Sequence, residues 1–156
     1  MINHPALKKI SGQVTRASSG LALSIALSAC SGSPPDNLGV HQGHLRDCPA
    51  SPNCVSSQAR DSLHRIAPLA LTGDPQQTRA RLLGLLTQTP RVKLLVQEEH
   101  YLRAEFTSHV MRFVDDVEFL IGPEAVEVRS ASRLGHSDLG VNRERIEGLR
   151  QQLSQP

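Results

Sequence analysis

Four segments of strand-like composition lie between residues 92 and 131, separated by only two or three residues each: 92–97, 100–108, 112–121 and 125–131. Connections that short make an antiparallel meander the simplest topology. Tyr101, Phe106, Phe113 and Phe119 are the chain's only aromatic residues and fall in the middle two segments, which predicts a core centred there. Alternation sorts the side chains by face. Leu102, Ala104 and Phe106 point one way and Arg103 and Glu105 the other; Val126, Val128 and Ser130 oppose Glu127 and Arg129. Simple register then places Arg103, Glu105, Asp116, Glu118, Glu127 and Arg129 on one outer face, read as a solvated charge ladder.

A helix is expected on either side of the meander. Asp74-Pro75-Gln76-Gln77 carries a helix start: an acceptor for orphan N–H groups, proline at the first helical position and a glutamine at capping-box spacing. Leu82, Leu83 and Leu86 supply its apolar stripe, and Pro90 limits it. A second helix is expected from near Asp138, with Leu139, Ile146, Leu149 and Leu153 on one face and Asn142 sharing it. A short extended segment, 65–71, precedes both. The fold class is therefore α+β, an antiparallel β-meander of four or five strands covered on one face by two helices.

Residues 1–29 read as an export signal. Lys8, Lys9 and Arg16 form a positive region, followed by a mostly apolar stretch, 17–29, too short to span a bilayer. It ends in Leu27-Ser28-Ala29-Cys30, which resembles the lipobox of bacterial lipoproteins, with the Cys30 thiolate as the nucleophile that takes the diacylglycerol. Acylation by two or three chains anchors a protein stably where one does not. Ser31 and not Asp follows the cysteine, and the resemblance to proteobacterial lipoproteins then implies outer-membrane sorting with the domain in the periplasm. Residues 30–44, rich in Gly, Pro and Ser, are expected to form a flexible tether, and 45–154 a single globular domain. Of 17 basic and 15 acidic residues, three basic ones lie in the signal. The remainder is balanced to −1 and lacks the basic footprint of a nucleic-acid binder.

One polar residue breaks the pattern. Asp115 shares a face with Phe113, Val117 and Phe119, and a carboxylate facing a core costs several kcal/mol unless paired. Arg133 or Arg143 could hold it through two parallel N–H bonds, and Asn142 could reach it from the helix. The expected network is Asp115, Arg133, Asn142 and Arg143, either a brace between helix and sheet or the polar floor of a ligand pocket. Gly135-His136-Ser137-Asp138-Leu139-Gly140 does not make a hydrolase elbow, because the second glycine is three residues from the serine and not two. Adjacent residues also cannot line up as a relay. Ser137 or Asp138 as a helix cap is the simpler reading.

Two further cysteines occur in Cys48-Pro49-Ala50-Ser51-Pro52-Asn53-Cys54. In an oxidising compartment a disulfide is the default. The competitor is a metal site drawing on His41, His44, Cys48 and Cys54, whose spacing matches no familiar zinc pattern.

These segments also carry a resemblance. Cys48-Pro49, Ser51-Pro52-Asn53-Cys54-Val55-Ser56-Ser57, Phe113-Val114-Asp115-Asp116-Val117-Glu118-Phe119 and Val128-Arg129-Ser130-Ala131-Ser132-Arg133, with Gly135, Ser137-Asp138-Leu139-Gly140 and Asn142-Arg143, are similar to the bacterial family called domain of unknown function 1499. His136 stands where that family usually has tyrosine. The resemblance implies an exported or membrane-associated protein with no established activity, cofactor or catalytic residues. Three functions are weighed: an envelope lipoprotein binding a partner protein or small ligand without catalysis; a small envelope enzyme using Asp115 or Asp116 as acid/base, with Arg133 and Arg143 holding an anionic substrate; and a redox or metal protein built on Cys48 and Cys54.

Overall fold

The computed structural model describes residues 32–36 and 38–155; the expected export signal, 1–29, and the expected acylation position, Cys30, lie outside them. In chain order the elements are β1 (Cys54–Ser56), β2 (Leu69–Ala70), α1 (Pro75–Gln88), β3 (Val92–Gln97), β4 (Tyr101–Thr107), β5 (Val114–Ile121), β6 (Ala125–Ser132) and α2 (Val141–Ser154). Strands β3 to β6 form the expected antiparallel meander. The β6 edge carries two short additions, β1 opposite its C-terminal half and β2 opposite its N-terminal end. The sheet therefore has six strands, and the architecture is α+β.

Local chemistry explains both helices. Asp74 accepts the N–H of Gln77 at 2.8 Å and the Gln77 side chain accepts the N–H of Asp74 at 3.1 Å, a reciprocal cap. Arg79 then donates to the carbonyls of Glu98 and Gln97, fixing the start of α1 to the β3–β4 turn. The second helix starts later than the periodicity suggests. Gly140 takes φ 87°, a left-handed conformation that glycine adopts freely, and helical geometry begins only at Val141. Leu139 consequently lies outside the helix and is 90% exposed.

The core is apolar and two-layered. Leu82 and Leu86 of α1 and Ile146, Leu149 and Leu153 of α2 pack with Leu102, Val117, Phe119, Ile121, Val126 and Val128 of the sheet. Phe119 sits at its centre, fully buried. Phe113, expected inside, is 39% exposed and precedes β5, while Tyr101 is buried on the opposite face of the sheet.

That opposite face is not solvated. The register is as expected, with Arg103 opposite Glu118 and Glu118 opposite Arg129, yet Asp116, Glu118 and Arg129 are 1%, 0% and 3% exposed. The segment expected to be a free tether helps to cover them. Gly39 donates its N–H to Glu118 at 2.8 Å and Arg133 reaches the carbonyl of Gly32; Leu45, the first residue expected in the domain, is buried with its N–H on Gln58. Cys48 and Cys54 form a disulfide that closes the loop leading into β1, with Cα atoms 5.7 Å apart. Their sulfurs are bonded to each other, so the His41–His44–Cys48–Cys54 metal set has no thiolate to offer.

Candidate functional site

Two polar networks flank β5 and β6, one on each face, because consecutive residues Asp115 and Asp116 point to opposite sides of the strand.

The helix-side network is built on Asp115, 5% exposed and paired across the sheet with Phe106 and Ser132. Its partner is Arg145, neither Arg133 nor Arg143. Arg145 Nη2 donates to Asp115 Oδ2 at 2.5 Å, and the guanidinium lies 4.8 Å from the centroid of Phe106. Arg145 Nη1 donates onward to Ser130 Oγ at 2.9 Å and Asn142 Oδ1 at 2.6 Å. Asn142, fully buried as the second residue of α2, donates from Nδ2 to the Asn53 carbonyl, Ser132 Oγ and Asp138 Oδ2. Asp138 also accepts the Asn142 N–H at 2.7 Å and that of Gly140 at 3.1 Å, so it caps the helix from outside it. Burial alone would raise the Asp138 carboxyl, but these donors outweigh it and hold it below the ordinary carboxylate range. Asn53 Nδ2 closes the circuit on the Gly135 carbonyl at 2.6 Å. The network thus joins the disulfide loop, β5, β6 and the start of α2.

Arg143 belongs to neither network. It points away from Asp115 and donates to the carbonyls of Arg65 and Leu63. Residues 142 and 145 are one helical turn apart and share a face, whereas 143 is rotated by about 100° from 142. The signal for Arg145 was therefore present once Asn142 had been assigned to the buried face.

The other network contains the remaining expected residue, Arg133. Its Nε and Nη2 grip Asp116 through a fork of 2.7 and 2.8 Å, and Nη2 also bonds Glu105. Glu105 and Asp116 are directly opposed cross-strand partners. Like charges so placed repel, and one guanidinium bridging both removes the conflict. The hydrogen bonds that Arg133 donates to Asp116 are the main cause that raises its guanidinium above its ordinary range. Beside it, Glu118 accepts from Arg129 Nη1 at 3.2 Å and from the Tyr101 hydroxyl at 2.8 Å. Burial pushes the Tyr101 phenol up, with Glu118 adding to the shift, and burial pulls the Arg129 guanidinium down against the opposing pull of Glu118. A cavity of about 100 Å³ lies here, lined by Pro35, Arg46, Pro49, Asp116, Arg129, Ala131, Ser132 and Arg133.

A wider and more open depression, about 670 Å³, lies along the chain ahead of the disulfide and is lined among others by His41, His44, Arg46, Gln58, Arg60 and Glu127. Glu127 is tied to Ser57 at its rim. No spacing rule in the sequence announced this surface, because residues 41–47 show no apolar period.

No curated protein and no solved structure matches the chain. The family model described as protein of unknown function (DUF1499) matches residues 44–153, from ahead of the disulfide to the last turn of α2. That span contains the helix-side network entire and the carboxylate–arginine pairs of the other face, and the chain belongs to this family.

Proposed function

We propose that the protein is a lipoprotein of the bacterial envelope, acylated at Cys30 and moored to the outer membrane, whose periplasmic domain binds a partner protein or a small polar ligand without catalysis. One observation carries the choice against an enzyme: both aspartates that acid–base chemistry would use are taken up by arginines. Asp115 is bound by Arg145 and Asp116 by Arg133, each with 5% or less of its surface exposed. A general base must reach the proton that it removes, and two buried, arginine-paired carboxylates are arranged as braces instead. The mooring is supported by the lipobox-like Leu27-Ser28-Ala29-Cys30 and by the Cys48–Cys54 disulfide, which belongs to oxidising compartments. The surface best suited to a partner is the open polar depression around His44, Arg46, Gln58 and Arg60.

Crosslinking of the full chain in its native envelope, followed by fractionation, tests the reading. The expected result is an outer-membrane fraction whose crosslinks map to residues 41–60, and release of the chain from that fraction by Cys30→Ser. A wild-type chain found in the soluble fraction would contradict it.

A further inference from the structure

The meander directs its connections to two ends. At one end lie the β4–β5 loop, 108–113, and the β6–α2 loop, 133–140; the β5–β6 turn, 122–124, lies at the other. Large apolar side chains that stay exposed are concentrated at the first end. Of eight among the described residues, six are there: Val110 81%, Met111 63%, Phe113 39%, Leu134 41%, Leu139 90% and Val141 44%. Single exposed apolar residues need no explanation, but a grouped set marks a contact surface.

The two loops are joined. Arg133 donates its N–H to the carbonyl of Val114 at 3.2 Å, which sets Leu134 beside the start of β5. Within the first loop, Ser108 and Phe113 exchange bonds of 2.8 and 2.9 Å, and Val110 and Met111 occupy the tip. This loop carries His109 and Arg112 and no acid.

The described chain also begins here. The Arg133 guanidinium reaches the Gly32 carbonyl, and a methyl group added at Gly32 would lie 3.0 Å from Arg133 Cβ and 3.1 Å from Leu134 Cγ. Cys30 is two residues upstream, so its Cα can be no more than about 7 Å from that of Gly32. An acyl chain on Cys30 would therefore enter the bilayer beside the exposed apolar loops.

We propose that these loops form a second membrane contact: Val110, Met111, Phe113, Leu134 and Leu139 seat in the phospholipid interface next to the acyl anchor, and Arg112 faces lipid phosphates. An amphipathic surface held at a bilayer by an anchor gains from apolar burial and from attraction to anionic headgroups together. The inference rests on the reading of Cys30 as acylated. It goes further, because it fixes the orientation of the domain: the sheet stands on the membrane with the β5–β6 turn pointing away.

The chain has no tryptophan, so an introduced one reports alone. Acylated chains carrying Val110→Trp, Leu139→Trp or Glu124→Trp are purified from the envelope. They are reconstituted in vesicles of phosphatidylethanolamine and phosphatidylglycerol, with and without brominated acyl chains. The first two positions are highly exposed, and Glu124 is an exposed control at the far end. The expected result is blue-shifted, bromine-quenched emission for Val110→Trp and Leu139→Trp, water-like emission for Glu124→Trp, and loss of the Val110→Trp shift on adding Met111→Glu. Chains that float with the vesicles while all three tryptophans stay water-exposed would overturn the docking and leave the anchor intact. Chains that neither float nor carry fatty acid would overturn both. A blue shift that grows with protein concentration in the absence of vesicles would assign the surface to a second copy and overturn the proposal.

Discussion

Arg143 and Arg145 are two residues apart in α2 and meet different surroundings, which makes them a matched pair for measurement. Arg145 is largely buried and neutralises the buried Asp115 carboxylate. Its removal leaves that charge buried and alone, a loss of about 3–5 kcal/mol for a pair of this kind. Arg143→Ala removes two bonds from a half-buried side chain to backbone carbonyls at the surface, worth about 1 kcal/mol. Urea titrations of Arg145→Ala and Arg143→Ala should show that order, and equal losses would refute the assignment of Arg145 to Asp115. Asp138 gives a second residue-scale expectation. Its folded-state pKa lies below the ordinary value, so its contribution is complete above about pH 4, the unfolded aspartate value, and is lost as pH falls through the folded value. Asp138→Asn should therefore flatten the acid limb of a stability-against-pH curve, while wild type loses stability on acidification below pH 4. An unchanged acid limb in the variant would show that Asp138 is not a linked group.

At the scale of elements, what was legible in the sequence had a period or a cap. The strand segments 92–97, 100–108, 112–121 and 125–131 overlap β3 to β6 closely because each is long enough to alternate. The start of α1 was written in Asp74, Pro75 and Gln77, and Asp74→Ala should lower stability by about 1 kcal/mol in a thermal or urea melt; no change would mean that the reciprocal cap contributes nothing. β2, Leu69–Ala70, falls inside the extended segment expected at 65–71, whereas β1, three residues long, is too short for alternation to register. Leu139 fitted the helical spacing and still fell outside α2, because a left-handed Gly140 breaks the helix one residue later. Periodicity counts residues along a chain; it does not sense a backbone turned to positive φ.

For the molecule as a whole, the face assignment was correct and the solvation assignment was not. Alternation placed Asp116, Glu118 and Arg129 together opposite the helices, but it could not show that Gly39 of the expected tether reaches Glu118 there. A segment without apolar period reads as a linker, yet Gly39 here supplies a backbone donor to a carboxylate and Gly32 a backbone acceptor to Arg133. The choice of arginine over lysine, 13 to one from Cys30 onward with Lys93 the single exception, agrees with what the networks require. A planar fork binds a carboxylate at two points, as Arg133 binds Asp116. The result is a domain braced by charge on both faces of one sheet, with its exposed apolar loops gathered where the chain arrives from Cys30.

That location gives meaning to the rest, and intact-mass spectrometry of the protein isolated from its native envelope tests it most directly. The account predicts a chain that starts at Cys30 and carries a diacylglyceryl group with a further fatty acid on its amino terminus. A chain that retains Met1 and bears no fatty acid would contradict it.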